Sequence, residues 1–384
     1  MADITTQLDS LLSDIAGNSF QRDRIANGWS GVPFTTKSEL AADFAAHPPY
    51  GSNLTFPRAR YTHFCQTSGT TGAPLAILDT PESWNWMLGN WQRIYRESGV
   101  MPGDGIYFAF SFGPFLGFWT AFEAAAKYGA LCIPGGGLSS AARLRAMSVH
   151  RPRVLCCTPT YALHLADVAR KEGIEVRVEK IIVAGEPGGS IPSVRERMSV
   201  AWGGAEVIDH YGMTEVGPVA FQKAGQPGAL HIIEESYFAE VIDSQTLAPV
   251  ADGALGELVL TSLGRIAWPL LRYRTGDLVR RRGTALEGGI IGRADDMVVV
   301  RGVNIYPSAV DAVVRQIPQI IEYRVTVWKR SEMTELAIEI ESTDVDAAAQ
   351  LERALSESFS LRIPVALVDT LPRFELKAHR WRQG

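Results

Sequence analysis

Between residues 105 and 187, short apolar runs alternate with longer stretches of helical length, and this alternation restricts the possible folds more than any other feature. Four runs have the length of strands and end near Gly or Pro, namely GIYFAFSF (105–112), ALCIP (130–134), RVLCCTP (153–159) and KIIVAGEP (180–187). Strands that alternate with helices predict a mostly parallel α/β sheet covered by helices. In such sheets, ligands bind at the loops that leave the carboxyl ends of the strands.

The pattern changes after residue 228. Short strands and turns such as GELVLTSL and PLLRYRTGD predict an antiparallel, barrel-like β part that closes the larger domain. Beyond residue 302, helices near 307–316 and 344–358 and strands near 322–328 and 334–340 predict a small α+β unit. Because 384 residues exceed a typical single core, we predict an α/β fold with two domains. These are a larger N-terminal domain (1–294) and a small C-terminal α+β domain (295–384).

The composition argues against several classes of protein. A formal net charge of -5 gives no indication of a partner such as nucleic acid or an anionic membrane. No apolar run approaches the roughly 18 residues of a membrane-spanning helix, and the first residues do not resemble a signal peptide. The four cysteines lack a CxxC spacing, which argues against a metal cluster or a disulfide scaffold. The prediction is a cytoplasmic protein, either monomeric or homodimeric.

The stretch QTSGTTGAP at positions 66–74 combines glycines with Ser and Thr hydroxyl groups and carries no charge. Glycines allow a loop to present several backbone N–H groups to an anion, and the hydroxyl groups add donors. This chemistry suits a phosphate, although the loop lacks the GK[ST] ending of a Walker A motif. By itself, the stretch is equally compatible with a flexible surface turn.

The motif DHYGMTEVG (209–217) follows the apolar residues EVI and therefore leaves the end of a predicted strand. Thr214 can donate a hydrogen bond to a phosphate, and the Glu215 carboxylate can bind a hard cation such as Mg²⁺. Taken alone, however, the motif also fits an ordinary polar turn.

Three further motifs place polar residues at the ends of elements. YRTGD carries Asp277 after a tight turn, where a carboxylate can accept hydrogen bonds from ribose hydroxyls. GRADDM puts Arg293 two residues before Asp295, at the predicted domain boundary, where hinges commonly lie. LPRFELKAHR contains Lys377, which would be a solvated surface lysine if the other motifs were absent.

In their order along the chain, TSGTTGAP, AGEP, DHYGMTE, YRTGD, GRADDM and LPR…K resemble the motifs of the adenylate-forming superfamily. This superfamily comprises acyl-CoA synthetases, peptide-synthetase adenylation domains and luciferases. PFTTKSEL, PLLRYRTGDL and RGVNIYPSAVD resemble the phenylacetate-CoA ligases in particular. The resemblance extends from about residue 30 to residue 380.

The resemblance implies that ATP and Mg²⁺ activate a carboxylic acid as an acyl adenylate, which coenzyme A then converts to a thioester. It implies a loop around the β- and γ-phosphates of ATP formed by Ser68, Gly69, Thr70, Thr71 and Gly72. It implies an adenine site lined by Gly185, Glu186 and Pro187, with Tyr211 against the base. Asp209, His210 and Gly212 are implied to belong to the same cofactor-binding region. ATP and the acid are implied to bind to the N-terminal domain (1–294), and the catalytic lysine to lie in a mobile C-terminal domain (295–384). The remaining implied roles are α-phosphate contact by Thr214 and Lys377, Mg²⁺ binding by Glu215, ribose binding by Asp277 and Arg293, and the hinge at Asp295. Two positions depart from the pattern of many relatives, Ala73 in place of Lys and Leu376 in place of Gly.

The segment YFAFSFGPFLGFW (107–119) is rich in aromatic residues and has no charged side chain. It corresponds to the acyl-binding region of relatives and predicts an aryl or arylacetic acid as substrate. It offers no acidic partner for the amino group of an α-amino acid. The predicted pocket consists of Phe112, Phe115, Trp119, Gly185 and Gly212.

Phe118 stands where phenylacetate-type enzymes have glycine, which favours a compact, benzoate-like acid. The acyl acceptor stays open at the level of sequence. The leading hypothesis is transfer of the acyl group to coenzyme A. The alternative acceptor is a carrier-protein thiol or an amine in secondary metabolism. A non-catalytic nucleotide-binding module is a third hypothesis from another class.

Overall fold

The computed structural model describes residues 3–67, 74–294, 298–301, 303–330, 333–372 and 380–384. Its α-helices are α1 Ile4–Asp14, α2 Lys37–Ala46, α3 Pro81–Glu97, α4 Leu116–Tyr128, α5 Ser140–His150, α6 Pro159–Glu172, α7 Pro192–Ala201, α8 Pro307–Val314 and α9 Ala347–Phe359. Its strands are β1 His63–Gln66, β2 Ala76–Asp79, β3 Gly105–Phe108, β4 Leu131–Pro134, β5 Val154–Cys157, β6 Lys180–Val183, β7 Glu206–Met213, β8 Gly217–Phe221, β9 Ala229–Ile232, β10 Tyr237–Ile242, β11 Leu255–Ser262, β12 Tyr273–Arg282, β13 Ala285–Glu287, β14 Gly292–Arg293, β15 Val298–Val300, β16 Val303–Ile305, β17 Ile320–Arg330, β18 Met333–Ser342, β19 Val365–Val368 and β20 Trp381–Gln383.

A twelve-stranded mixed sheet dominates the chain, in the order β10-β11-β12-β13-β9-β8-β7-β6-β5-β3-β4, with β14 paired to β12. Strands β4, β3, β5, β6 and β7 are parallel, as the alternation of strands and helices predicted. The first half of β7 pairs with β6 and its second half pairs antiparallel with β8. The antiparallel part predicted after residue 228 therefore continues the parallel sheet through β7.

Successive residues of the parallel strands face opposite sides of the sheet and enter two different cores. On one side, Ile106, Ile182 and Ile208 pack in the same core as residues of α3 and α4. On the other side, Ile181 and Val207 pack in the same core as residues of α5, α6 and α7. Helices thus cover both faces, which explains why the parallel strands are continuous apolar runs.

The four strands predicted between residues 105 and 187 are present. One of them, β4, ends at Pro134 as predicted, and the other three end earlier than predicted. β3 stops at Phe108 and β6 at Val183, so the residues that follow them lie in loops at the carboxyl edge of the sheet. Helix α7 was not predicted; Pro192 occupies its first turn, where the missing N–H of proline has no intrahelical partner to lose. These early strand ends leave the loops at the carboxyl edge available to a ligand.

The residues after 297 form a separate four-stranded sheet, in the order β19-β18-β17-β20, which packs with α8 and α9 around its own core. Arg380, just before β20, donates two hydrogen bonds to the carboxylate of Glu322 at 2.6 and 3.2 Å. The predicted domain division at residue 295 falls outside the described residues and stays a prediction. Among the residues that the structure describes, no helix has both the length and the apolar character needed to cross a bilayer.

Candidate active site

Asp209 is a buried carboxylate at the point where β7 passes from its parallel to its antiparallel partner. Its Oδ2 accepts a hydrogen bond from the Ser190 hydroxyl, and its Oδ1 accepts one from the backbone N–H of His210 at 3.0 Å. Burial raises the pKa of Asp209 to about 6, against the lowering effect of these hydrogen bonds. Asp209 therefore changes charge close to neutral pH.

Tyr211, Asp277 and Arg293 come from three separate motifs and form one hydrogen-bonded chain. The Tyr211 hydroxyl donates to Asp277 Oδ2 at 2.6 Å, and Arg293 Nη1 donates to Asp277 Oδ1 at 3.2 Å. The pairing of β12 with β14 sets Asp277 opposite Arg293. Burial, together with the neighbouring Asp277 carboxylate, raises the pKa of Tyr211 well above its ordinary value. Tyr211 therefore acts as a neutral donor.

The buried side chain of Arg265, which is 0% exposed, binds the backbone of the turn that contains Thr214 and Glu215. Arg265 Nη1 donates to the carbonyl oxygens of Thr214 and Glu215 at 2.8 and 2.9 Å. Its Nε donates to Asp79 Oδ1 at 2.8 Å, and Nη2 donates to the other oxygen of the same carboxylate. Asp79 is the last residue of β2, so one arginine joins the turn after β7 to the strand that follows residues 68–73.

Lys37 lies near the same turn, with its Nζ 3.3 Å from Glu215 Oε1. The position of Lys37 follows from the start of α2, where Thr36 and Glu39 form a reciprocal capping box. The local sequence Thr-Lys-Ser-Glu is typical of such a helix start. The contact with Glu215 was not predicted. Glu215 fits a hard cation that completes its coordination with substrate phosphates and water. A cluster of three or more metal-binding side chains is absent from the described part of the chain.

Glycines allow the loops of the site to approach one another closely. Gly185 has φ of +92°, a conformation that favours glycine. At Gly212 a Cβ atom would lie 2.6 Å from the carbonyl oxygen of Gly217, so β8 leaves no space for a side chain. Glu186 Oε1 accepts a hydrogen bond from the backbone N–H of Thr160 at 2.8 Å and so caps α6. Pro187 is exposed beside them.

The predicted acid-pocket aromatics form one cluster beyond the carboxyl end of β3. Phe112 lies 4.8 Å from the ring of Trp119 and 5.4 Å from that of Phe110, measured between ring centroids. Phe115 lies 5.9 Å from Phe118 in an edge-to-face arrangement. Trp119 is 40% exposed and its indole N–H donates to the Gly113 carbonyl, so it lies at the outer rim of the cluster.

Several predicted site residues lie outside the described residues, namely Ser68, Gly69, Thr70, Thr71, Gly72, Asp295 and Lys377. The hairpin formed by β1 and β2 flanks residues 68–73, with Gln66 paired to Ala76. The backbone N–H of Gln66 donates to the Pro114 carbonyl at 2.8 Å. The start of the predicted phosphate loop is thereby tied to the aromatic segment.

Sequence reasoning missed Arg265 and the contact between Lys37 and Glu215. Arg265 belongs to none of the motifs that carried the resemblance, and Lys37 lies in PFTTKSEL, a segment to which no phosphate or metal role was assigned. Lys37 had a local signal only for helix initiation. Arg265 follows a glycine in an otherwise apolar stretch, where a charged residue between strands is an ordinary loop feature. Both were found only through contacts between distant parts of the chain.

Replacing Asp209 by asparagine is expected to stabilise the protein more at pH 8 than at pH 5. The pKa of about 6 in the folded state exceeds the ordinary value of 3.8. The folded state therefore holds this proton more tightly, and the resulting stability is lost as the pH rises through 6. The difference between the two pH values is expected to be about 1.4 kcal/mol in the free energy of unfolding, because pH 5 lies only one unit below the pKa of the folded state. Urea unfolding at both pH values measures it.

Asp9→Asn, on the exposed side of α1, is the matched control and should show no such difference between the two pH values. An equal effect of Asp209→Asn at pH 5 and pH 8 would contradict a buried carboxylate that titrates near 6.

Models of two protein families match the chain. The AMP-binding enzyme family matches residues 59–264, and the AMP-binding enzyme C-terminal domain matches residues 302–382. The phenylacetate-coenzyme A ligase of Thermus thermophilus is 31% identical over 327 residues, covering 82% of this chain and 72% of that protein. The phenylacetate-coenzyme A ligase of Pseudomonas putida is 32% identical over 322 residues, covering 80% and 71% respectively.

Two solved states of 2-hydroxyisobutyryl-CoA ligase are also similar to the chain. The post-adenylation state with 2-HIB-AMP has a TM-score of 0.91 at 27% identity and covers 99% of this chain and 89% of that one. The thioesterification state with 2-HIB-AMP and CoA has a TM-score of 0.72 at 28% identity, with 99% and 88% covered. The present structure therefore superposes more closely on the first of these two solved structures than on the second.

The residues brought together at the carboxyl edge of the sheet agree with these similarities. Such ligases use ATP, Mg²⁺ and coenzyme A, as the order of motifs in the sequence implied. The family model spans more than half of the chain, and the curated relatives match most of it. The chain belongs to the AMP-binding, adenylate-forming enzymes, among the AMP-forming acid–thiol ligases related to phenylacetate-CoA ligase.

Proposed function

We propose that the protein activates a small carboxylic acid with ATP and transfers the acyl group to coenzyme A. The observation that carries this proposal is the chain of Tyr211, Asp277 and Arg293 beside the Thr214–Glu215 turn. It places a neutral donor, a carboxylate and a cation next to a turn with a hydroxyl group and a second carboxylate. This combination suits a nucleotide, because a carboxylate can accept hydrogen bonds from the ribose hydroxyls and a hydroxyl group can donate one to a phosphate.

The nucleotide would contact residues of four loops. Asp277, oriented by Tyr211 and Arg293, accepts hydrogen bonds from the ribose hydroxyls. The loop that begins at Gly185 and the middle of β7 around Asp209 border the adenine. Thr214 donates its hydroxyl to the α-phosphate. The backbone of this turn is fixed by a buried arginine, so the hydroxyl is positioned before the substrate arrives.

Charge at the phosphates is balanced by cations from separate parts of the chain. Glu215 would hold Mg²⁺, which when bound neutralises phosphate charge and polarises a phosphoryl oxygen. Lys37 is the partner of Glu215 in this structure and contributes positive charge at the same place. Lys377 would supply a further cation at the α-phosphate while the carboxylate of the acid attacks and pyrophosphate leaves.

The aromatic cluster around Phe112 supports an aryl or arylacetic acid, because aromatic rings stack on flat apolar groups. A second candidate is a short branched hydroxy acid. It is favoured by the similarity to 2-hydroxyisobutyryl-CoA ligase. The superposition on that structure has a TM-score of 0.91 and covers 99% of this chain. A carrier-protein thiol or an amine is the alternative acceptor to coenzyme A.

Pyrophosphate release tests the proposal. Purified protein is given ATP, Mg²⁺ and a panel of benzoates, arylacetates and short hydroxy acids, with and without coenzyme A. Release with at least one acid, and a thioester product only with coenzyme A, are expected. Adenylate that accumulates unchanged in the presence of coenzyme A would favour another acceptor, and no release with any acid would contradict adenylation.

Glu215→Gln tests the proposed cation site in the same assay, and Glu235→Gln is its control. It removes the charge that would hold the cation but keeps the size of the side chain. The rate of pyrophosphate release is expected to fall about 100-fold or more. Glu235→Gln, at an exposed carboxylate that pairs with Arg93, should leave the rate unchanged. Equal rates in wild type and Glu215→Gln would remove Glu215 from the proposed site.

A further inference from the structure

His210 has two unused hydrogen-bonding groups in a buried position. The residue is 7% exposed, and its ring stacks on the indole of Trp91 at 4.3 Å between centroids. Neither Nδ1 nor Nε2 has a hydrogen-bond partner among the residues that the structure describes. Buried polar groups without partners are rare in folded proteins because each costs free energy. A ligand that supplies the missing partner would remove this cost.

The imidazole of His210 is electrically neutral. Burial lowers its pKa to about 3, so at neutral pH one ring nitrogen carries a hydrogen and the other has a free lone pair. Such a ring can both donate and accept a hydrogen bond. It therefore matches a neutral hydroxyl or aryl amine, which has the same double capacity.

The strand register shows which side of the sheet His210 faces. Ile208 lies in a row of paired residues that crosses the parallel strands on the side of α3 and α4. The other members of this row are Ile182, Cys156 and Phe108. Side chains of a strand alternate between faces, so His210 follows Ile208 on the same side, one step nearer the carboxyl edge.

The aromatic cluster begins at the equivalent position after β3, two residues beyond the member of the row on that strand. Phe110 follows Phe108, and its ring stacks on Phe118 at 4.2 Å and lies 5.4 Å from Phe112. Trp91 is fixed in turn, since its indole N–H donates to the Thr120 hydroxyl of α4 at 3.0 Å. His210 thus lies on the side of the sheet that carries the aromatic cluster proposed to receive the acid.

We propose that His210 is the polar recognition element of the acid pocket and that the substrate bears a hydroxyl or aryl amino group that hydrogen-bonds to its imidazole. This inference rests on the proposed function. An unsubstituted apolar acid would leave both ring nitrogens without partners in the complex. The hydroxyl or amino group satisfies at least one of them, and the surrounding rings contact the remainder of the acyl group.

Matched pairs of acids test the inference. Benzoate is compared with each hydroxybenzoate and aminobenzoate, phenylacetate with its ring-hydroxylated forms, and isobutyrate with 2-hydroxyisobutyrate. In the series that contains the most active acid, kcat/KM for pyrophosphate release is expected to be about 10- to 100-fold higher for the substituted acid than for the unsubstituted one. In His210→Phe, which keeps a ring against Trp91, this ratio is expected to fall to about 1.

Two further variants separate recognition from structure. His210→Gln keeps a donor and an acceptor and should retain part of the preference. Phe112→Leu changes the apolar wall and should alter kcat/KM for both members of a pair alike. Thermal unfolding of each variant verifies that it is folded, and calorimetric Kd values for the two acids give a readout independent of turnover.

The result that overturns the inference is a ratio that is the same in wild type, His210→Phe and His210→Gln. A wild-type preference for the unsubstituted acid of every pair also overturns it. Failure of wild type to release pyrophosphate with any acid is a different result, because it contradicts the proposed function on which the inference rests.

Discussion

Lys377→Ala is expected to abolish adenylate formation but to leave thioester formation from a preformed adenylate largely intact. Negative charge concentrates on the α-phosphate when the carboxylate of the acid attacks. A cation held at that point stabilises the transition state, and its loss typically costs on the order of 100-fold or more. Thiol attack on the adenylate needs no such cation, because the resemblance implies that the C-terminal domain turns and withdraws the lysine before this step.

Lys377 lies outside the described residues, but the chain is anchored on both sides of it. The backbone N–H of Leu371 donates to Glu341 Oε2 at 2.7 Å, and Arg380 pairs with Glu322. Both acceptor carboxylates lie in the C-terminal sheet, Glu341 in β18 and Glu322 in β17. Movement of that sheet relative to the nucleotide would carry Lys377 toward or away from the α-phosphate.

The two half-reactions are measured separately, by pyrophosphate exchange and by thioester formation from a synthetic adenylate. Lys329→Ala removes an exposed positive charge from β17 of the same sheet and should affect neither half-reaction. Equal losses of both half-reactions in Lys377→Ala would refute its assigned role.

Arg265→Leu is expected to lower the free energy of unfolding by about 3–5 kcal/mol. The substitution leaves the Asp79 carboxylate without its cation, and the pair is 0% and 1% exposed. It also removes the donors to the carbonyl oxygens of Thr214 and Glu215. A buried charge without a partner is far more costly than a broken pair at the surface. Arg60→Leu breaks the exposed pair with Glu82 and is expected to have little effect.

A double-mutant cycle at Arg265 and Asp79 separates the effect of Arg265 on the free energy of unfolding from its effect on adenylation. Asp79→Leu combined with Arg265→Leu removes both charges and should recover part of the lost stability. Adenylation should stay impaired in the double variant, because the Thr214–Glu215 turn still lacks its anchor. Urea unfolding and pyrophosphate release measure the two effects. Full recovery of both would show that Arg265 only neutralises Asp79.

Much of the fold could be predicted because its signals are local. Strand-length apolar runs separated by helical stretches identify a parallel sheet, and Thr36 with Glu39 identifies the start of α2. The ends of the strands could not be predicted as well. β3 stops at Phe108 although the apolar run continues to residue 112, since hydrophobicity does not reveal where the neighbouring strand stops pairing.

The ordered motifs also predicted that Tyr211, Asp277 and Arg293 belong to one site, and the structure brings them into contact. The sequence by itself therefore determined the fold class, the family and the main candidate residues, because each has a pattern within a few neighbouring positions. Only the tertiary structure decided that Arg265 meets Asp79 across 186 residues and that His210 lacks a partner beside Trp91. Such contacts depend on how distant strands and helices pack, and no local pattern of side chains records that packing.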